Sequence, residues 1–292
     1  MRPALLLLLT TTLACTSDDE PTAPMASEVD PDPQWTEERA ALLAGCSRSY
    51  EHAAAQAAHD VPTVLHTAVQ RFGDDGHLVA SDVTDVEAST LDAYSWVRAD
   101  GLLRSYRLDA DAVDWAYRYT YDDEDRLDVL AHDADGDGFD DQSWTHTWHG
   151  DSRRLASSEL RSGDGTTLAT WTYTWSDDPV AGTFAREGVM RQGGEIAQRE
   201  HVAYDALGRR VLHETTDLRD DTYREVSWTW GDAFQLLDER VVAWEGDDVV
   251  LEEHTVSQRD ADGILTGSFL ERAVAPFGTA AREVWSFDTT CE

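Results

Sequence analysis

Between Val64 and Phe287 apolar and polar residues alternate along the chain. Trp115, Tyr117, Tyr119 and Tyr121 are separated by Ala116, Arg118 and Thr120. Trp144, His146 and Trp148 are separated by Thr145 and Thr147, and Trp171, Tyr173 and Trp175 by Thr172 and Thr174. Val226, Trp228 and Trp230 enclose Ser227 and Thr229 in the same way. Side chains alternate across a pleated strand, so each segment predicts a β-strand with one aromatic and one polar face. A turn phrase closes these segments: an aromatic residue, a Gly/Asp-rich turn, then leucine or valine. Its clearest copy is Tyr204-Asp205-Ala206-Leu207-Gly208-Arg209-Arg210-Val211; Phe72 to Leu78 and Tyr121 to Leu127 are two others. The phrase returns at Phe72, Val97, Tyr121, Trp148, Trp175, Tyr204, Trp230, Arg259 and Phe287, the copies at Val97 and Arg259 being degenerate. A fixed period means an array of one supersecondary unit. A second set of turns, including Asp133 to Gly138, Ser162 to Gly165 and Arg191 to Gly194, divides each unit in two. The pattern predicts a mainly β fold, an antiparallel meander of hairpins with about 17 strands. A sheet of that length twists, which predicts coiling or wrapping.

The first fifth of the chain reads differently. Ala40, Leu43, Ser47, Tyr50, Ala54 and Ala57 recur at helical spacing, Thr36 suits an N-cap, and Val61-Pro62 supplies a stop. One N-terminal helix over 34–60 is therefore predicted, packed on a repeat domain over 61–292. Residues 15–33 are rich in Ser, Asp, Glu, Pro and Thr and carry no apolar period. Such a segment buries too little surface to offset chain entropy, which predicts a disordered tether. Residues 1–14 carry Arg2 and then an apolar run from Ala4, the pattern of an export signal; it is too short to span a bilayer as a permanent helix.

Charge narrows the partners. Acidic residues number 58 against 23 basic ones, for a net charge of −35, and every basic residue is arginine. Phosphate backbones require a basic stripe, so the charge argues against nucleic acid as a partner and against docking of the protein surface on anionic lipid. Many alternating strands are also the pattern of a transmembrane barrel, but Arg, Glu and Asp on both faces of Gln198 to Ala203, Asp238 to Glu245 and Leu251 to Arg259 argue against that.

Thr12-Leu13-Ala14-Cys15 resembles a bacterial lipobox, with threonine where leucine usually stands three places before the cysteine. The resemblance implies cleavage before Cys15 and its diacylation, and the expectation that goes with it is an outer-membrane lipoprotein of the cell envelope, a monomer touching the membrane through its lipid alone. Two cysteines then remain. In an oxidising compartment an even remainder pairs, which predicts a Cys46–Cys291 disulfide closing nearly the whole mature chain. Tyr204-Asp205-Ala206-Leu207-Gly208-Arg209 in turn resembles the YD repeat of the RHS family, whose pattern is Tyr-Asp, two variable residues, Gly-Arg. The tract from Phe72 to Phe287 resembles a divergent YD array, and the resemblance implies a spiralling sheet of hairpins.

Little in the sequence points to chemistry. In Asp133-Ala134-Asp135-Gly136-Asp137-Gly138-Phe139-Asp140-Asp141, the residues Asp133, Asp135, Asp137 and Asp141 fall at positions 1, 3, 5 and 9 of a calcium loop. Gly138 takes the sharp turn, and the Phe139 carbonyl is the position 7 ligand. Position 12, where a bidentate glutamate is usual, is Trp144. The competing reading is a solvated acidic hairpin turn. Ca2+ is the only cofactor the sequence suggests. His146 and His149 stand three apart and so point to opposite faces of a strand; His52 and His59 read as exposed positions on the N-terminal helix. No nucleophile or zinc motif of a known enzyme class is present. The expectation is a non-enzymatic envelope protein that binds a carbohydrate or a surface protein, the aromatic rows serving mainly as core. The other class is an envelope hydrolase with a carboxylate site in the concavity of the sheet.

Overall fold

A computed structural model describes residues 43–55, 63–110, 114–178, 180–231, 236–260, 264–274 and 281–291. Residues 1–33, with Cys15, and residues 34–42 and 56–60 of the expected helix, with His59, lie outside the described residues. Eighteen strands follow one another: β1 (Ser47–Ala55), β2 (Thr63–Phe72), β3 (Leu78–Asp85), β4 (Thr90–Ala99), β5 (Leu102–Ala110), β6 (Trp115–Tyr121), β7 (Leu127–Asp133), β8 (Gln142–Trp148), β9 (Leu155–Ser162), β10 (Thr167–Asp178), β11 (Thr183–Gln192), β12 (Glu195–Tyr204), β13 (Arg210–Asp217), β14 (Thr222–Trp230), β15 (Leu236–Glu245), β16 (Asp248–Arg259), β17 (Leu265–Val274) and β18 (Ala281–Thr290). Each is antiparallel to its neighbours in sequence, and β1 also pairs with β18. The sheet is thus a closed ring of 18 strands rather than an open coil. Closure leaves no unpaired edge, which is how a long antiparallel meander avoids edge-to-edge association.

The helix expected over 34–60 is corrected where it can be seen. Residues 47–55 are β1, the strand that completes the ring. Ser47-Arg48-Ser49-Tyr50-Glu51-His52 alternates exposed and buried positions, and His52, expected on an exposed helix face, is buried. Alanine at 53–55 and the recurrence at three and four favour a helix locally. The unpaired edges of β2 and β18 offer backbone partners along the whole segment, and that tertiary gain overrides propensity. The ring extends back to residue 47, fourteen places before the boundary expected at 61.

Pairing slips by one residue between Arg71 and Phe72, Val97 and Arg98, Thr120 and Tyr121, Thr147 and Trp148, Ala203 and Tyr204, Thr229 and Trp230, and Gln258 and Arg259. These bulges sit where the turn phrase places its aromatic residue. A bulge re-aims the side chain that follows it. The slot of the degenerate second copy is accordingly Arg98 rather than Val97, so both degenerate copies put arginine where the others put a ring. From this slot Tyr121, Trp148, Trp175 and Trp230 each donate a hydrogen bond to a backbone carbonyl of the preceding strand, at Leu103, Leu127, Leu155 and Arg210. The turn arginines then stack on the ring of the following unit. Arg126 lies 5.9 Å from the Trp148 centroid, Arg154 5.5 Å from Trp175 and Arg209 6.0 Å from Trp230.

In a closed ring one face of every strand looks inward, and most buried positions lie there; Ala131 and Asp133 of β7 are buried on the other face. Across β4 to β12 this wall is aromatic and aliphatic, including Tyr94, Tyr106, Tyr117, Leu130, Trp144 and Leu160. Tyr106 stacks with Trp96 at 4.9 Å, and Tyr117 with His132 at 4.4 Å. The outward face carries Ser, Thr, Arg, Glu and His. Mid-strand ion pairs run along it, such as His201–Glu187 at 2.6 Å and Arg71–Asp82 at 2.7 Å. Exposed large apolar side chains, such as Val69, Leu91 and Val97, are scattered over this face.

Candidate functional site

Three places combine polar groups with a shape: the inner wall opposite the aromatics, the outer groove over the closing seam, and the loop between β7 and β8. On the inner wall Arg186 of β11, only 1% exposed, lies 4.6 Å from the Tyr173 ring centroid and donates to Glu200 of β12 at 2.7 Å. His213 approaches the same carboxylate at 3.4 Å. Burial pushes the Glu200 carboxyl up, but Arg186 and His213 outweigh it and hold the group below the usual carboxylate range. Gly188 is the direct cross-strand partner of Glu200, and a Cβ there would stand 2.4 Å from Glu200 Cγ. The glycine is the space into which the carboxylate folds.

A second polar track crosses the seam. His52 Nε2 meets Glu283 at 3.0 Å while its Nδ1 faces His66 Nδ1 at 3.1 Å. The His52 ring is stacked on Trp285 at 4.7 Å. Glu283 also faces Arg272 at 3.5 Å, and Arg272 pairs with the buried Glu253. The hydrogen bond from His52 is the first reason the Glu283 carboxyl lies below its usual range. Among the described carboxyls whose pKa shifts, all shift down. Outside the ring a groove of about 470 Å³ runs over β18, β1, β2 and β3. Ser49, Glu51, Thr67, Val69, Asp82 and Asp288 line it.

The expected disulfide is present: Cys46 and Cys291 are bonded, with Cα atoms 4.2 Å apart. Of the expected calcium ligands, Asp133, Asp135 and Asp141 converge, each offering an oxygen within 4.8 Å of the others. Asp137 is not in that group; its Oδ1 accepts from the Phe139 N–H at 2.9 Å. The Phe139 side chain is exposed, and Trp144 is buried in the aromatic cluster. His146 and His149 do not meet: His146 bonds Ser158 at 2.8 Å inside the ring and His149 opens a turn. The paired charges Arg186, Glu200, Arg272 and Glu283 escaped sequence reading. In a chain this rich in carboxylates only the glycine opposite Glu200 marks the place, and that becomes visible once the register is known.

No family model matches the chain, and no curated protein matches it. Solved structures with some likeness include a porin-like protein from Bacteroides uniformis, 8% identical, covering 84% of this chain and 96% of that one with a TM-score of 0.44. A porin-like protein from Bacteroides vulgatus is 9% identical, covering 82% and 97%, with a TM-score of 0.30. The Photorhabdus luminescens Tc holotoxin pore is 11% identical over 73% of this chain, which spans 15% of that one, with a TM-score of 0.31. Likeness at this level establishes neither descent nor activity.

Proposed function

We propose that this chain is a lipid-anchored cell-envelope protein whose closed β ring stands in water and binds a carbohydrate or another cell-surface ligand without catalysis. The observation that carries the reading is the polarity of the two faces. A barrel that spans a membrane turns an apolar band about 25 Å tall outward and keeps its interior polar. Here the rings of β4 to β12 point inward, with Tyr223 and Trp244 an outer pair, and Thr172, Thr174, Glu187, Arg199 and Arg240 point outward. Such an outer face would be costly in hydrocarbon, so the membrane contact falls to the lipid on Cys15. The seam groove, with hydroxyls and carboxylates in alternation, offers acceptors to a ligand rich in hydroxyl groups.

The hydrolase reading has less support. A general acid needs a raised carboxyl pKa, while Glu200 and Glu283 are ion-paired and lowered. The test is Cys15→Ser in the full chain. Release into the aqueous fraction, with loss of fatty-acid probe labelling, is the expected result. If that variant still needs detergent for extraction, the ring itself is in the bilayer and the reading fails. A glycan array probed with the released chain and with Asp82→Ala then tests the groove.

A further inference from the structure

We infer that the loop between β7 and β8 is a divalent cation site for Ca2+, built on Asp133, Asp135 and Asp141 and not on the full set of ligands that its sequence suggests. The carboxylate of Asp133 is 3% exposed, and its Oδ1 has no hydrogen-bond partner. A buried carboxylate oxygen without a donor is costly and calls for a partner. Its Oδ2 accepts from the Gly138 N–H at 3.0 Å and faces Arg118 Nη1 at 3.7 Å, an ion-pair contact beyond hydrogen-bond reach. Arg118 spends its other nitrogen on Asp140 and on the Gly138 carbonyl. The nearby guanidinium therefore leaves Oδ1 unanswered.

The loop brings two more carboxylates, each through one oxygen, to within 4.8 Å of an oxygen of Asp133. Asp135 accepts from the Asp137 N–H at 3.2 Å through Oδ1, and Asp141 from the Ala134 N–H at 2.7 Å through Oδ2. These bonds fix the two side chains and leave each a second oxygen. Gly136 and Gly138 adopt φ of 72° and 94°, which folds the loop back on itself. A Cβ on Gly136 would lie 2.5 Å from the Asp114 Cβ, so the loop is seated against residue 114. Oxygens on opposite sides of a calcium ion, each about 2.4 Å from it, are roughly 4.8 Å apart. The three carboxylates meet that limit. The donors are all oxygen, which selects a hard cation, and the loose geometry favours Ca2+ over Mg2+, which demands a near-ideal octahedron. Without Asp137 or a position 12 glutamate, water completes the shell. The dissociation constant belongs in the roughly 10⁻⁴–10⁻³ M range of extracellular modules.

Thermal unfolding of the full mature chain in detergent, with Ca2+, with Mg2+ and with NaCl at matched ionic strength, tests the site. Ca2+ at a few millimolar should raise the melting temperature above the other two, and Asp133→Asn and the exposed Asp135→Asn should each remove that increment. Asp133→Asn should also melt higher than the parent chain in chelator, because it removes a buried carboxylate whose Oδ1 has no donor and which stands beside two others. Arg118→Gln takes a positive charge from beside the site and should tighten Ca2+ roughly threefold to tenfold. A chain of net charge −35 gains from any divalent ion. Equal shifts with Mg2+ and Ca2+ that survive in Asp135→Asn would be that screening and overturn the site. Absence of any shift would overturn it as well.

Discussion

Cys46 and Cys291, separated by 245 positions in sequence, place their Cα atoms 4.2 Å apart at the end of the seam between β1 and β18. The bond joins the ends of the two strands whose pairing closes the ring. It shares that task with nine registered residue pairs, from Ser47 with Thr290 to Ala55 with Arg282. Closing so long a loop stabilises by up to about 5 kcal/mol in the chain-entropy model. Cys291→Ser, or reduction of the native protein, should lower stability by about 2–5 kcal/mol while leaving the strand content by circular dichroism intact. Urea unfolding with and without reductant measures it, and reductant should have no effect on Cys291→Ser.

The turn phrase makes its own prediction. Asp205 Oδ1 accepts from the Leu207 and Arg209 N–H groups at 2.9 and 3.0 Å, and Oδ2 takes Arg209 Nε at 2.6 Å. Asp122 repeats this with Glu124 and Arg126 at 3.0, 2.9 and 2.8 Å. Each arginine then reaches the next unit, Arg209 to the Gly231 carbonyl at 2.9 Å and Arg126 to that of Gly150 at 2.6 Å. Asp205→Ala and Asp122→Ala should each cost about 1–2 kcal/mol in urea unfolding. The two sites are far apart in the ring and share no partner, so the double variant should be additive within about 0.5 kcal/mol.

These turns explain how much of the fold was legible. A period-two pattern and a recurrent Asp/Gly phrase are local, and they placed the strands and the meander order. The identical bonds around Asp122 and Asp205 are what the phrase encodes. Closure was not legible because it depends on a pairing between residues 47–55 and 282–290 that no local signal announces. The same segment misled as a helix, since its alanines and spacing suit one and only the waiting strand edges decide otherwise. The acidic loop was legible in spacing but not in which carboxylates converge, because Asp137 satisfies the Phe139 N–H instead. Charges on the inner wall were hidden by abundance: nothing in sequence separates Glu200 from the many solvated carboxylates.

That buried pair is a sharp test of the inner wall. Removing one member of a buried ion pair leaves the other uncompensated, at a cost of about 3–5 kcal/mol, whereas replacing both by apolar residues is often neutral. Arg186→Met should therefore destabilise strongly, and Arg186→Met with Glu200→Leu should recover most of the loss. Gly188→Ala attacks the same pair without touching either charge. Its methyl group would meet Glu200 Cγ at 2.4 Å and should cost about 1–3 kcal/mol by driving the carboxylate from its place. Urea midpoints of the three variants give the ordering; a Gly188→Ala chain as stable as the parent would show that Glu200 has room to spare.

His146 makes a contribution of defined sign to the pH dependence of stability. Burial pushes its imidazole down to about 4, and Ser158 Oγ at 2.8 Å is its hydrogen-bond partner. In the unfolded chain the same ring titrates near about 6.5. Between these values the unfolded chain binds the proton and the folded chain does not. Stability is therefore fully present above about pH 6.5 and is lost as the pH falls toward about 4, by an amount on the order of a few kcal/mol. His66 and His132 are also lowered, first by burial, and act in the same direction. The net charge of −35 opposes them, because acidification relieves self-repulsion. The decisive quantity is therefore a difference: urea unfolding of the parent and of His146→Gln from pH 7.5 to 4.5, with the parent losing more stability over that range. The imidazole carbon resonances should show His146 neutral at pH 5.5, where an exposed histidine is already protonated.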